Sequence, residues 1–580
     1  MFSKYYQGEL AFLRDLGREY AAAHPAVAGL LAERGTDPDV ERLLEGFAFL
    51  SARLRERLDD AAPELIEDLS QLLLPHYLRP IPAATVVEFL PVPGALRARA
   101  EVPAGAELAS VAVEGVSCRF RTTAPMALVP ATLTDAALDQ AIGATPTIRL
   151  QLQAPGPALP AVFQDAPIRF FIHGELPFAS TLLLWIARHL TGVRVRGATS
   201  GKVISLGPNA LRLVGFDPDF PLLPWPPLAP PGSRTLQEYF TLPQKFLFFE
   251  LRGLGAARDV AEDKFDLLLD FDRPPELPAR ITRDTFRLNC APVINLFPAG
   301  GEPIRVSGIG EEHLIRAAGM APRHVEIHSI DAVRGLADST GAPRTYHPFF
   351  SFGHGPQGAA ARYYRVRRRH HVLDGGIDCH LSLLTPRDGG TGPAEETLSI
   401  DLTCTNRGLT SGLRPGDVSV ATQTSPSVAR FRNILPVSKP ARPPLGSELH
   451  WRLVSHLAVG RVSVQAETLR TMLGLYNFQA LADQVSGRAN HLRIDGIRAA
   501  EASAVRRVID GAPVRGTRIS LELDEGHFAG LGDAVVFGGI LDELFAAQAG
   551  LNTFAEVAIR LQPSGREYQW APRNGTRALL

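Results

Sequence analysis

Between Arg367 and His380 the chain reads RRRHHVLDGGIDCH, which places His370, His371, Asp374, Cys379 and His380 within fourteen residues. All five are of types that can ligate a transition metal, and a bound metal there would suit hydrolysis. Structural zinc sites usually show tighter paired spacing, and Gly375-Gly376 equally fits a hairpin turn with solvated polar residues on its arms. Just upstream, Arg362-Tyr363-Tyr364-Arg365 adds basic and aromatic side chains that could bind a phosphate backbone and stack on bases. Charged side chains on an edge strand, which discourage unwanted pairing, give the same pattern. Asp270 and Asp272 could imitate a glycosidase pair, but carboxylates are too common for spacing alone to assign an acid and a nucleophile.

Other chemical signatures fall short. Gly197-Ala198-Thr199-Ser200-Gly201-Lys202 approaches a phosphate loop, yet it has one residue too few between its glycines. Val203 then stands where a magnesium-binding hydroxyl belongs, so the segment is expected to be a turn. No GxSxG elbow and no HExxH helix occurs. Cys118, Cys290, Cys379 and Cys404 are scattered without CxxC spacing, which suits buried thiols better than a disulfide framework or a zinc site. No metal, no cofactor and no catalytic residue is expected.

With 60 basic and 61 acidic residues the formal net charge is -1, so no whole-molecule field points to nucleic acid or an anionic membrane. The start MFSKYYQGEL lacks the apolar core of a signal peptide, and no stretch approaches 18 apolar residues, so a cytosolic protein without membrane insertion is expected. A length of 580 residues exceeds what one hydrophobic core organises and suggests about three or four domains.

The strongest structural signal lies in the first hundred residues. Asp37 is placed to cap a helix, Pro38 suits its first position, and Asp39 and Glu41 favour the positive end of its dipole. Val40, Leu43, Leu44, Phe47, Leu50, Leu54 and Leu58 then recur at steps of three and four, a single stripe expected to stop or restart at Pro63. Phe2, Tyr6, Leu10, Leu13, Leu16 and Tyr20 mark a stripe before it. Leu65, Ile66, Leu69, Leu72 and Leu73 mark one after it, ending at Pro75. Such faces must be buried, either on the chain's own sheets or in a bundle shared with other subunits.

Beyond Pro80 short apolar runs such as Thr85–Leu90 and Ile168–Ile172 read as strands of a largely antiparallel region. The stretch 217–231 is Pro-rich and reads as a linker or extended arm. Its Phe220, Leu222, Leu223 and Trp225 favour packing against a sheet over serving as a Pro-rich ligand. Residues 238–251 end in an apolar strand of the kind buried on both faces. After a second Pro-rich piece at 439–444, an alternating strand at 517–523 is expected. A helix capped by Asp533 and closed by Gly550 should follow, with Val536, Phe537, Ile540, Leu541, Leu544 and Phe545 on one side, and then a strand at 556–561. The expected fold is multidomain α+β, in four parts. These are an N-terminal helical region at 1–80, a first β-rich domain at 81–231, a second at 232–440, and a C-terminal α+β domain at 441–580.

Several long segments resemble one family. DPDVERLLEGFAFLSARLRERLDDAAPEL at 37–65, LLPHYLRPIPA at 73–83, EYFTLPQKFLFFEL at 238–251 and NCAPVINLFPAGGEPI at 289–304 are similar to the TssF (ImpG, VasA) baseplate subunits of bacterial type VI secretion systems. So are LSIDLTCTNRGLTSGLRPGD at 398–417, the segment 514–546 and WAPRNG at 570–575. The resemblance covers essentially the whole chain. It departs at Val459-Gly460, where the family tends to have Leu-Asn, and at Ala83, where Ser is usual.

The resemblance implies a structural wedge protein of a contractile machine. Two copies would clasp one TssG, in a wedge joined to TssK, TssE and the central VgrG spike, docked at the inner membrane and supporting sheath assembly and the triggering of contraction. In that setting the stripe from Val40 to Leu58 would be the partner-binding surface. A metal-dependent hydrolase centred on His370–His380 is the rival from another class, and nucleic-acid binding around Arg362–Arg369 is a third.

Overall fold

The computed structural model describes residues 6–7, 10–14, 16, 38–92, 94–140, 145–227, 229, 232–306, 312–337, 343–349, 362–371, 376–384, 396–445, 448–449, 451–452, 455, 464–509 and 511–575, side chains excepted at 38, 40–41, 53–65, 337, 509 and 512. A helix of 36 residues runs from Pro38 to Leu73, about 54 Å at 1.5 Å per residue. Pro38 occupies its first turn, and Asp39 lies 3.5 Å from Arg42 on the next. The proposed cap, Asp37, lies outside the described residues.

The expected stop at Pro63 does not occur. The helix passes through it, joining two of the sequence stripes into one rod. A proline inside a helix removes one backbone donor and crowds the preceding turn, but Ile66, Ser70 and Leu74 beyond it are buried in the body of the protein, and that packing holds the continuation in helical form. Of the stripe before Asp37, Tyr6, Leu10, Leu13 and Leu16 are helical, while Phe2 and Tyr20 lie outside the described residues.

The β region is built from sheets that gather distant parts of the chain. One sheet runs in the order Val418–Ala421, Glu107–Val113, Val116–Thr122, Cys290–Ile294, Ala84–Pro91 and Ala429–Asn433. A second orders Val203–Ser205, Leu190–Gly197, Lys264–Phe271, Thr147–Gln153 and Thr132–Asp139. A third joins Leu211–Leu213, Phe248–Leu251, Ile168–Ile172 and Phe286–Leu288. A larger sheet contains Glu396–Thr405, Glu326–Ala337, Arg344–Pro348, Tyr363–His370 and Ile377–Leu384. Among the described residues the named strands pair antiparallel except where Arg344–Pro348 meets Tyr363–His370 and where Ala512–Asp524 meets Thr553–Gln562, and an isolated parallel bridge joins Leu551 to Gly575.

Strands from both sides of residue 231 share the first three sheets. The division between 81–231 and 232–440 is therefore proposed as a division of the chain's path, with the sheets themselves common to both segments. The Pro-rich arm near that position is packed down: Phe220, Leu222 and Leu223 are buried. Its free amides are met by Glu238, a fully buried carboxylate that accepts from Leu222 and Leu223 N–H at 2.8 and 3.0 Å, with the Lys245 ammonium 2.8 Å away. Arg169 covers the Phe220 ring at 4.6 Å. Prolines donate no hydrogen bonds, so the arm is held by side chains in place of a ladder.

The C-terminal unit pairs Ile497–Ile509 with Ala512–Asp524, then crosses through a helix, Leu531–Gln548, to a parallel strand Thr553–Gln562. The crossover helix differs from the expected one-sided pattern, being buried on nearly every side. It lies between the helix Leu176–Arg188 and the strand Thr553–Gln562, and only Gln548, in its last turn, is exposed to water. Gly532 permits the close crossing, since a Cβ there would come 2.1 Å from the carbonyl carbon of Ser180. The cap also differs: Gly530 precedes the helix, and Asp533, in the first turn, accepts the Ala529 N–H at 3.1 Å. The helix ends at Gln548, short of Gly550.

Asp542 lies on that helix with its side chain almost fully buried, 3.3 Å from Arg573, and its Oδ1 has no hydrogen-bond partner. Burial pushes its carboxyl up to about 6, against the opposing pull of Arg573. Between the unfolded carboxyl range near 4 and this value the native state holds a proton that the unfolded chain has released, so stability falls as pH rises through that window. The difference amounts to about 3 kcal/mol. Asp542→Asn is expected to flatten that slope and raise the thermal midpoint at pH 7, with Arg573 still paired to Glu543. Melting curves from pH 4 to 8 check this, and an unchanged slope in the variant contradicts it.

Candidate partner-binding site

On the long helix the heptad-like spacing of apolar residues produces two unlike faces. Ala48 and Ala52 are fully buried, whereas Leu43 is 73% exposed, Phe47 61% and Leu50 60%. These three, at i, i+4 and i+7, make one continuous apolar strip, with Leu44 half-buried and Phe49 exposed beside it. Contiguous apolar surface of this kind marks an interaction site more often than a simple exterior. Val40, Leu54 and Leu58 belong to the same helix, but their side chains lie outside the described residues.

The other end of the helix is rooted. Asp68 receives a two-pronged bond from Arg365, Nε to Oδ1 at 3.0 Å and Nη2 to Oδ2 at 2.6 Å. Glu67 accepts the backbone N–H of Arg368 at 3.0 Å, and Gln71 donates to the Val366 carbonyl at 2.9 Å. The helix thus satisfies backbone groups along the strand Tyr363–His370, as a covering element does for a sheet edge. Burial raises the Glu67 carboxyl against the pull of Arg368, and raises Asp68 against Arg365. Both are held by these arginines in a partly dry seam. Sequence reasoning did not find this root. Its one available signal was the acidic pair at 67–68 matching the basic run at 365–369, and nothing local linked segments 297 residues apart.

That pairing also explains the basic and aromatic run. Arg365 and Arg368 face the helix, and Arg367 and Arg369 reach Glu312 at 2.6 and 2.9 Å. The strands Tyr363–His370 and Ile377–Leu384 pair antiparallel as hairpin arms, with Arg368 opposite Cys379 and Arg367 opposite His380. Cys379 is buried and its thiol is pushed up to about 11 by that burial, while burial and then Arg369 lower His380. Asp374 lies outside the described residues. No group of three His, Cys, Asp or Glu side chains suited to one metal occurs among the described residues.

The remaining chemical candidates have structural partners. Asp270 is clamped by Arg194 at 2.6 and 2.7 Å and by Thr147 at 2.8 Å, whereas Asp272 meets His189 at 3.2 Å. Residues 198–200 turn between Leu190–Gly197 and Val203–Ser205, and Glu262 accepts their amides at Thr199 and Ser200. No described helix is long and apolar enough to cross a membrane.

A rooted helix that holds an apolar strip out from a multi-sheet body is the geometry of assembly subunits as a class. Residues 1–577 match the family described as Type VI secretion system, TssF, and the chain belongs to that family. It is 29% identical over 626 aligned residues to the Type VI secretion system component TssF1 of Pseudomonas aeruginosa PAO1, with all of this chain and 99% of that protein covered. In structure it is similar to a chain of the TssK-TssF-TssG baseplate subcomplex seen by cryo-electron microscopy. The TM-score is 0.77 and the identity 31%, over 93% of this chain and 99% of the other. A chain of the baseplate complex from the type VI secretion system is also similar, with a TM-score of 0.63 and 25% identity over the full length of both.

Proposed function

We propose that this chain is a structural subunit of a type VI secretion baseplate, assembling with TssG and TssK, and that it performs no chemical step. The observation that carries the reading is the strip Leu43, Phe47 and Leu50, exposed on a helix whose far end is fixed to the body by Asp68 and Glu67. A mechanical subunit needs this combination, because force applied to the helix must reach the sheets. In the proposed wedge two copies of the chain clasp one TssG through the helices, and the β sheets extend toward TssK, TssE and the VgrG spike. The wedge docks at the inner face of the bacterial inner membrane, supports growth of the sheath and tube, and rearranges when contraction is triggered.

Co-expression with TssG and TssK followed by mass measurement of the purified complex tests the assignment. A stable heteromer holding two copies of this chain per TssG is expected. A chain that purifies alone at normal yield in the presence of both partners overturns it. Metal analysis of the same preparation separates the hydrolase alternative, which requires stoichiometric zinc or iron.

A further inference from the structure

In the C-terminal unit the strand Ile497–Ile509 ends its sheet, pairing among the described residues with Ala512–Asp524 alone. The third strand begins at Thr553, opposite Arg515, so beyond that point the hairpin runs on as two strands. Side chains alternate between the two faces of a strand. On one face Ile519, Leu521 and Leu523 are buried in the core, and the same face continues outward to Arg515, opposite Arg506, and then to Pro513, opposite Val508. All four of these outer residues are exposed, Val508 at 76%.

The two faces treat arginine differently. On the other face Arg507 and Arg518 both bond the fully buried carboxylate of Glu556, with Nε contacts of 3.1 and 2.9 Å. Arg506 and Arg515, by contrast, form no ion pair among the described residues, and Asp510, between the two strands in sequence, lies outside those residues. Like charges directly opposite one another destabilise a strand pair. On a free edge they repel a basic strand and admit an acidic one.

We propose that the edge from Ser503 to Val508 is a docking surface for an extended acidic segment of another polypeptide, added as a further strand, with a carboxylate across from Arg506 and an apolar residue across from Val508. Strand addition takes its affinity from main-chain hydrogen bonds and its selectivity from alternate side chains. The Cβ atoms of the acidic residue and Arg506 would lie about 5 Å apart, with Arg515 one strand further at about 10 Å, which is within the screening length at low salt. Binding along a nucleic-acid backbone commonly rests on about 6–10 phosphate contacts, and attraction to anionic lipid on clusters of about 4–8 basic residues. Two guanidinium groups fall short of both. The edge belongs to the C-terminal unit and the apolar strip to the long helix, so either can fail alone.

The test is fluorescence anisotropy of a labelled peptide of three Glu-Ser-Val-Ser repeats, titrated with the full-length chain at low salt. Saturable binding is expected, at least about tenfold tighter than that of the same peptide with Gln in place of Glu. The double variant Arg506→Glu, Arg515→Glu, altered at two exposed positions, is expected to reverse the preference and bind the Lys-Ser-Val-Ser peptide instead. A gained affinity of that kind does not arise from misfolding. No binding of the acidic peptide, equal binding of its Gln form, or a double variant that keeps the acidic preference overturns the proposal. So does a chain that holds single-stranded DNA or phosphatidylserine vesicles more tightly than the peptide, which would make the face a phosphate site.

Discussion

Replacing Phe47 and Leu50 together by Asp is expected to abolish capture of TssG while leaving the chain itself folded. Both positions are more than half exposed, at 61% and 60%, so the free protein should lose less than about 0.5 kcal/mol. In a complex that buries the strip, the variant loses two apolar anchors and gains two carboxylates without partners. Truncation of a central anchor commonly costs about 2 kcal/mol or more, and a buried unpaired charge adds several more. The combined loss is expected to be at least about 100-fold in affinity, which is the magnitude that removes a partner from a pull-down. Ala48→Asp serves as the contrast. Ala48 is fully buried in the chain as it stands, so that substitution should lower stability as well as assembly. Co-purification with TssG at normal yield by the Phe47, Leu50 variant would show that the partner meets another surface.

Why the strip was legible in the sequence while its root was not is a matter of range. The spacing of Leu43, Phe47 and Leu50 is a local property, and helix geometry alone puts the three on one face. Strands such as Ala84–Pro91, Ile168–Ile172 and Ala512–Asp524 were legible for the same reason, as apolar runs or alternation bounded by turn residues. The sheets were not, because their order is set by pairings such as Val87 with Asn433 and Leu269 with Val193, which no local pattern encodes.

The continuation of the long helix through Pro63 was missed because tertiary burial of Ile66, Ser70 and Leu74 overrides a local breaker. The crossover helix was read as one-sided because only its apolar stripe was traced, with Asp533 taken as the cap. Asp533 and Asp542 are instead buried against Arg493 and Arg573. A bulge is likewise invisible locally, since the extra residue at His328 in Glu326–Ala337 exists only relative to the partner strand Glu396–Thr405.

Asp533→Ala should be the most damaging single change in the C-terminal unit. Its carboxylate is 1% exposed and joins three elements: it accepts from the Tyr239 hydroxyl at 2.7 Å, from Arg493 Nε at 2.9 Å and from the Ala529 amide at 3.1 Å. Arg493 is itself 7% exposed and lies over the Tyr239 ring at 5.0 Å, so it cannot turn to water when its partner is removed. Breaking one side of such a pair costs about 3–5 kcal/mol, most of it the penalty of the guanidinium left behind. Replacing both partners by apolar residues of similar size avoids that penalty. Asp533→Leu combined with Arg493→Met is therefore expected to recover most of the lost stability, although each change alone is harmful. Asp68→Ala, at the partly exposed root of the long helix, should cost only about 1 kcal/mol by comparison. Urea unfolding followed by near-ultraviolet circular dichroism measures these variants. A double variant as unstable as Asp533→Ala would mean that the pair fixes the crossing of the helices by its geometry, and that the cost does not arise from a stranded charge.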